Sequence, residues 1–133
     1  MNQDLVNNLK LAAGWAGATI ATNTDTDSTV VIDTQGFEAV AFALYSGAIT
    51  DGSFLLKIRE TDNADGTTGA AEVGAYQVQN TMVAADDNVV KKVGAKVNKR
   101  YCTLRITSTG VTTGGVFKGA VAVLGKPRVA PVA

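Results

Sequence analysis

Apolar and polar side chains alternate along much of this chain. In "SFLLKIRET", Phe54, Leu56 and Ile58 fall on one side of an extended backbone, and Lys57, Arg59 and Thr61 fall on the other. "RYCTLRIT" places Cys102, Leu104 and Ile106 inward and Tyr101, Thr103 and Arg105 outward. "VFKGAVAV" sends Phe117, Val121 and Val123 inward and Lys118 outward. A period of two is the mark of half-buried antiparallel strands. "FEAVAFALYS" departs from it, because both of its sides are apolar: Val40, Phe42 and Leu44 on one, Phe37, Ala39, Ala41, Ala43 and Tyr45 on the other. Such a strand is either central in a sandwich or covered by a partner. The small alanines would let a second backbone come close, so Ala39, Ala41, Ala43 and Tyr45 are candidate self-association residues.

Weaker strand signals occur at "TVVID", "AYQVQ", "NVVKKV" and "AGATIAT". Turn chemistry separates them at short intervals: "DTQG", "DNADGTTG", "AADDN", "STGVTTGG", and "TDGS", where Asp51-Gly52 predicts a tight hairpin. About eight short strands spaced in this way predict an all-β sandwich or barrel. Only "NQDLVNNLKLA" has helical spacing, through Leu5, Val6 and Leu9, and it is short enough to be an extended arm instead. The chain divides into an N-terminal arm (1–14), a β domain (15–124) and a tail (125–133), with no internal repeat or linker.

The length of 133 residues suits one domain able to bury its own core without a metal or disulfide. A single cysteine implies no oxidising compartment, no uncharged run has the length and apolarity of a membrane span, and Asp4 ahead of Lys10 is a poor signal-peptide start. These features point to cytosolic synthesis. Charged residues make up only 18% of the chain, which suggests a surface partly covered by another chain. The net charge is zero, yet residues 1–66 hold nine acids and three bases, and residues 67–133 hold three acids and nine bases. Either opposite faces meet neighbouring molecules, or strands from the two halves interleave and neutralise each other.

Candidate chemistry is sparse. There is no histidine, which removes the commonest general base and transition-metal ligand. Cys102 then has no histidine partner and reads as a small core residue. "VVIDTQG" approaches the Asp-Thr-Gly loop of aspartic proteases, but Gln35 splits it, and Asp33 reads as a turn cap. "GVTTGG" lacks the Lys-Ser/Thr of a phosphate-binding loop. Asp25 with Asp27, and Asp62 with Asp65, could offer oxygens to calcium, but neither pair has EF-hand spacing, and solvated loops are the plainer reading. The basic run Lys91, Lys92, Lys96, Lys99 and Arg100 could track phosphates. With Asp86 and Asp87 just upstream and Tyr101 the one interleaved ring, a protein contact or a solvated face is favoured over nucleic acid. The inventory predicts no catalytic residues, no metal and no cofactor.

In order and spacing, "DTQGFEAVAF", "GAITDGSFLLKIRETDNADG", "VNKRYCTLRIT" and "GAVAVLGKPRVAPV" resemble the small capsid cement, decoration or stabilisation proteins encoded in the head-gene modules of tailed bacteriophages and prophages. The resemblance runs from about Trp15 to Val132, and departs in the tail, where Lys126 stands in place of a histidine. It implies a jelly-roll-like antiparallel sandwich with extended arms and no catalysis. It also implies a homo-oligomer, dimer before trimer, on the outside of an icosahedral shell. There it would bridge capsomers of the major capsid protein, without nucleic acid or membrane, after synthesis in the bacterial cytoplasm. In that setting Pro127 and Pro131 hold the tail extended, over roughly 30 Å for nine residues. Val129 and Val132 would then bury apolar surface while Lys126 and Arg128 meet acids; a frayed end is the alternative. Leu5 and Leu9 carry the same two readings for the N-terminal arm. Another virion subunit (tail tube or head completion) and a lectin-like surface-binding sandwich are the competing functions.

Overall fold

The computed structural model describes residues 6–73 and 80–127. Eleven strands occur among them: β1 (Lys10–Trp15), β2 (Ala18–Ile20), β3 (Asp25–Asp27), β4 (Ile32–Asp33), β5 (Phe37–Ile49), β6 (Ser53–Thr61), β7 (Ala71–Glu72), β8 (Asn80–Val83), β9 (Val90–Lys96), β10 (Tyr101–Thr109) and β11 (Gly115–Pro127). All pairings are antiparallel. Sheet A has the order β1-β11-β5-β9, with β2 continuing the edge along β11. Sheet B has β3 and β4 along one side of β10, then β6, then β7 and β8 along the far side of β6. Taking each broken edge as one position, both sheets are four strands wide, and the chain changes sheet at every step except from β6 to β7. This is the winding of a jelly roll.

The inward residues of both sheets meet in one core. Phe42 and Leu44 of β5, Val93 of β9 and Phe117 and Leu124 of β11 face Phe54, Leu56 and Ile58 of β6, Met82 of β8 and Leu104 and Ile106 of β10. The predicted alternation of β6 and β10 therefore holds for their apolar positions. Two of their polar positions differ. Thr61 and Thr103, expected outside, are buried. The loop after β6 folds back, so that the Thr61 hydroxyl donates to Thr68 O at 2.6 Å and Gly66 sits between Val31 and Thr103.

Three further expectations change. Asp51-Gly52 does turn the chain, but as an arch from sheet A to sheet B rather than a hairpin, since β5 and β6 do not pair. "NTDTDST", read as a loop, supplies β3, which pairs with β10. The end of "NQDLVNNLKLA" is strand, not helix: β1 begins at Lys10, opposite Leu124. The paired region thus runs from Lys10 to Pro127, and the arms are shorter than 1–14 and 125–133. "AYQVQ" lies outside the described residues.

The correction with most consequence is in β11. Phe117 pairs with Ser46 and Gly119 pairs with Tyr45, so Lys118 is an extra residue bulged out of the ladder. A bulge advances the side-chain alternation by one. Phe117 stays inward, but Ala120, Ala122 and Leu124 become the buried set, and Val121 and Val123 turn outward. Glycine suits the site because a β carbon at position 119 would stand 3.0 Å from Trp15 O.

Candidate functional site

The bulge gives sheet A an outer face made almost entirely of small and apolar residues. Register defines it row by row. Leu11, Val123, Ala41 and Gly94 lie side by side across the four strands. Ala13, Val121, Ala43 and Lys92 form the next row. Gly125, Ala39 and Lys96 form the row on the other side, and Leu9 lies over Gly125. Gly119, Tyr45 and Val90 follow beyond Lys92's row. Leu11 is 67% exposed, Val90 60% and Val121 45%, too much apolar surface on one face to be scattered chance. Among the described residues, charge on this face is confined to its margin, at Lys92 and Lys96 on the edge strand β9 and at bulged Lys118. The Lys118 ammonium sits 4.8 Å from the centre of the Tyr45 ring and 3.3 Å from Asn88 Oδ1.

The outer face of sheet B is the opposite in character. Arg105 forks onto Asp27, with Nε to Oδ1 at 2.6 Å and Nη2 to Oδ2 at 2.8 Å, and also reaches Asp25 at 3.3 Å. Arg59 adds a contact to Asp27 at 3.2 Å and donates to Ala70 O at 2.7 Å. Lys57 pairs with Glu72 at 3.1 Å. The acid-rich first half and the base-rich second half therefore neutralise each other within the molecule, through the pairing of β3 and β4 with β10. The charges of this face are paired within it, and its exposed large apolar side chain among the described residues is Val83 of β8, 42% exposed.

That network makes an acid prediction. Hydrogen bonds from Arg105 hold the Asp27 carboxyl below its ordinary value of 3.8, and Arg100 does the same for Asp33. The unfolded chain thus binds protons more readily at these sites, so their stabilisation is complete above the ordinary carboxylate range and is lost as pH falls through the lower folded values. With no histidine in the chain, the urea midpoint is expected to stay flat from about pH 8 to pH 5 and to drop below about pH 4. Asp27→Asn should shrink that drop; a drop of equal size in the variant would remove Asp27 as its source.

The candidate residues from the sequence fall in different places. Ala39, Ala41, Ala43 and Tyr45 lie together on the outer face of sheet A, whereas Phe37, assigned to the same stripe, is buried where β5 begins. The basic run does not form one surface. Lys92 and Lys96 share the outer face of sheet A, while Lys91 turns the other way, bonding Asp86 at 3.0 Å and Thr81 O at 2.7 Å. Arg100 is forked onto Asp33 at 2.9 and 3.0 Å and lies 5.1 Å from the Tyr101 ring centre. Lys99 lines a shallow hollow of about 210 Å³ with Thr34, Gly36 and Asn98.

Asp33 also accepts from the Gln35 amide at 3.0 Å, the turn-capping geometry expected of it. Cys102 is buried, and burial with the nearby Glu60 charge pushes its thiol up to about 12. Asp65 caps its own loop by accepting from the Thr67 and Thr68 amides and the Thr68 hydroxyl. Leu9 is partly buried over Gly125. Lys126 is exposed with φ of 51°, and Pro127 still pairs with Phe37. Leu9 and Gly125, just outside the Lys10–Leu124 pair, therefore lie together at one end of sheet A. Leu5, Arg128, Val129, Pro131 and Val132 lie outside the described residues. Leu11, Gly94, Val121 and Val123 were missed as surface residues; the one sequence signal for them is Gly119, a lone glycine inside a strand.

No protein-family model matches the chain, and no curated protein matches it in sequence. Among solved structures, the SPBc2 prophage-derived protein YomS is similar over 90% of this chain and 94% of its own, at 8% identity and a TM-score of 0.49. The CBM22-1–GH10 modules of Clostridium thermocellum xylanase 10B, complexed with xylohexaose, match at 14% identity and a TM-score of 0.45, and the chain covers 27% of that protein. The Eiger TNF of S. frugiperda matches at 11% identity over 92% of this chain, with a TM-score of 0.41.

Proposed function

We propose that this protein is a non-enzymatic structural component of a phage virion. It binds the outside of the icosahedral shell and stabilises it by bridging neighbouring capsomers of the major capsid protein. The observation that carries this reading is the contrast between the two outer faces. Sheet B ties up its own charges and suits water; sheet A presents apolar side chains whose burial needs another protein surface. The ordered motifs that resemble phage cement proteins supply the kind of assembly, and the arm and tail that lead away from Leu9 and Pro127 are two further candidate points of attachment.

Stabilisation then follows from mass action. A protein that binds only the assembled shell stabilises it by RT ln(1 + [L]/Kd), about 2.7 kcal/mol per site at a hundredfold excess over Kd. A shell offers many equivalent sites, so each contact can be modest, and a bridging oligomer gains avidity from holding two capsomers.

The test is cosedimentation with empty expanded shells of the major capsid protein from the phage or prophage that carries its gene. The full chain is expected to pellet with the shells and raise their melting temperature. A chain ending at Pro127 keeps every described strand pair and is expected to bind at least about tenfold more weakly, the loss of roughly one modest apolar contact. A full chain that stays in the supernatant would reject the proposal, and a hit on a glycan array would favour a surface-binding lectin instead. Equal pelleting by the shortened chain would remove the tail from the contact.

A further inference from the structure

We infer that the outer face of sheet A is the pairing surface for a second copy of this chain, packed face to face about a twofold axis that runs along the strands between β11 and β5. The inference deepens the shell reading, which rests on the same face: a second copy is the protein surface that covers it, and the chain ends are left for the capsomers. Its test uses the purified chain alone, so it can fail while shell binding holds. It rests on how large and small residues are distributed across the face. In the central row the order is Leu11, Val123, Ala41, Gly94: two large residues on β1 and β11, then two small ones on β5 and β9. The next row repeats the step from Val121 to Ala43. The central row is thus a ridge beside a trough. Ala13 and Lys92 at the ends of the next row, and Gly119 beside Tyr45 in the row beyond, reverse the step, so that a large residue of one copy meets a small one of the other at those positions too.

Rotation about that axis exchanges the two sides. The Val123 of one copy then stands over the Ala41 of the other, Leu11 over Gly94, and Val121 over Ala43. Each contact occurs twice, as an isologous interface requires. Charge selects the same axis. The lysines of β9 end up at opposite margins, three strand spacings or about 14 Å apart, beyond the physiological screening length of about 8 Å. A twofold axis across the strands would instead set β9 on β9, Lys92 and Lys96 near their own mates, and valine on valine.

Size is adequate for a specific but modest pair. Four strands at about 4.8 Å, over seven residues at about 3.4 Å each, give roughly 450 Å² of face per copy before side-chain relief. Two copies thus bury about 900 Å², just under the limit of about 1,000 Å² for a stable interface and in the range of a weak pair.

Gly94 supplies a clean test, because the fold does not need a glycine there. A β carbon at position 94 meets only Val40 O at 3.5 Å and the Ala41 side chain at 3.6 Å, ordinary contacts within the monomer. Gly94→Val is therefore expected to fold with an unchanged or higher melting temperature while filling the trough that receives Leu11. By sedimentation equilibrium of the full chain, the wild type should dimerise at tens of micromolar, and Gly94→Val should dimerise at least about tenfold more weakly.

Register is tested with Ala41→Glu and Val123→Lys. Each alone should weaken dimerisation about tenfold or more. An equimolar mixture should recover it, because the new carboxylate at position 41 of one copy then faces the new ammonium at position 123 of the other. A wild type that stays monomeric at 500 μM would overturn the inference, as would a Gly94→Val chain that pairs normally. Failure of the mixture to recover, with both variants folded by circular dichroism, would overturn the proposed axis.

Discussion

Phe117→Ala is expected to lower the melting temperature by about 10–20 °C, far more than truncation of an exposed side chain would cost. Phe117 is 2% exposed and stands where the two sheets meet. Its ring lies edge-on to Phe54 of sheet B, with centroids 4.9 Å apart, and tilted against Trp15 at 5.9 Å. Truncating a buried phenylalanine costs about 3–5 kcal/mol in lost transfer energy and cavity, and the aromatic pairs add to it. For a chain of 133 residues, each kcal/mol moves the midpoint by about 3–5 °C. The position is also the last inward residue before the bulge, so its packing fixes where the alternation shifts. Thermal melts with urea titrations on the same samples measure the effect. A fall of less than about 5 °C would show that the neighbouring rings collapse into the space, and that Phe117 does not anchor the register of β11.

Gly114→Ala is expected to be nearly as damaging, for a reason of backbone rather than volume. Gly114 has φ of +96°, and a β carbon there would stand 1.9 Å from Ile20 O and 2.8 Å from the Ala21 α carbon. Neither neighbour is a flexible side-chain tip, so either the start of β11 or the end of β2 must move. The loop has little slack, because both oxygens of Asp51 accept amides from Thr112, Thr113 and Gly114, the last at 2.7 Å. Loss of more than about 3 kcal/mol is expected, combining strain at positive φ with displaced backbone. Gly110→Ala is the control. Its φ is +66° but nothing lies within 4 Å, so only the conformational cost of about 1 kcal/mol remains. Equal losses at the two positions would mean that the Ile20 contact yields freely.

What could be read from the sequence depended on whether each decision was local. Alternation in β6 and β10 identified Phe54, Leu56, Ile58, Leu104 and Ile106 as core because nothing interrupts those strands. The ladder of β5 is likewise unbroken from Ala39 to Tyr45, so parity separated its core stripe from its alanine stripe. The alanine face was visible for the same reason. Its other half was not, because one unpaired residue at Lys118 moved Val121 and Val123 to the opposite side, and period counting assumes an unbroken ladder. Asp51-Gly52 showed where the chain turns but not which strand comes next, since an arch between sheets and a hairpin within one use similar residues. Asp25 and Asp27 looked like loop acids because their partners, Arg105 and Arg59, are remote in the chain. Parity is written locally; partnership is not.

The position of β11 has a consequence for synthesis. β11 is an inner strand: it lies between β5 and the β1/β2 edge, and Lys10 finds its neighbour only at Leu124. Sheet A therefore cannot close until β11 has left the ribosome, and β1 must wait for a partner that is made far later in the chain. Closure of sheet A is expected to be slow, because joining remote segments loses chain entropy before contacts offset it. Until then, the strands of this nascent chain are exposed to whatever chaperones the cell provides.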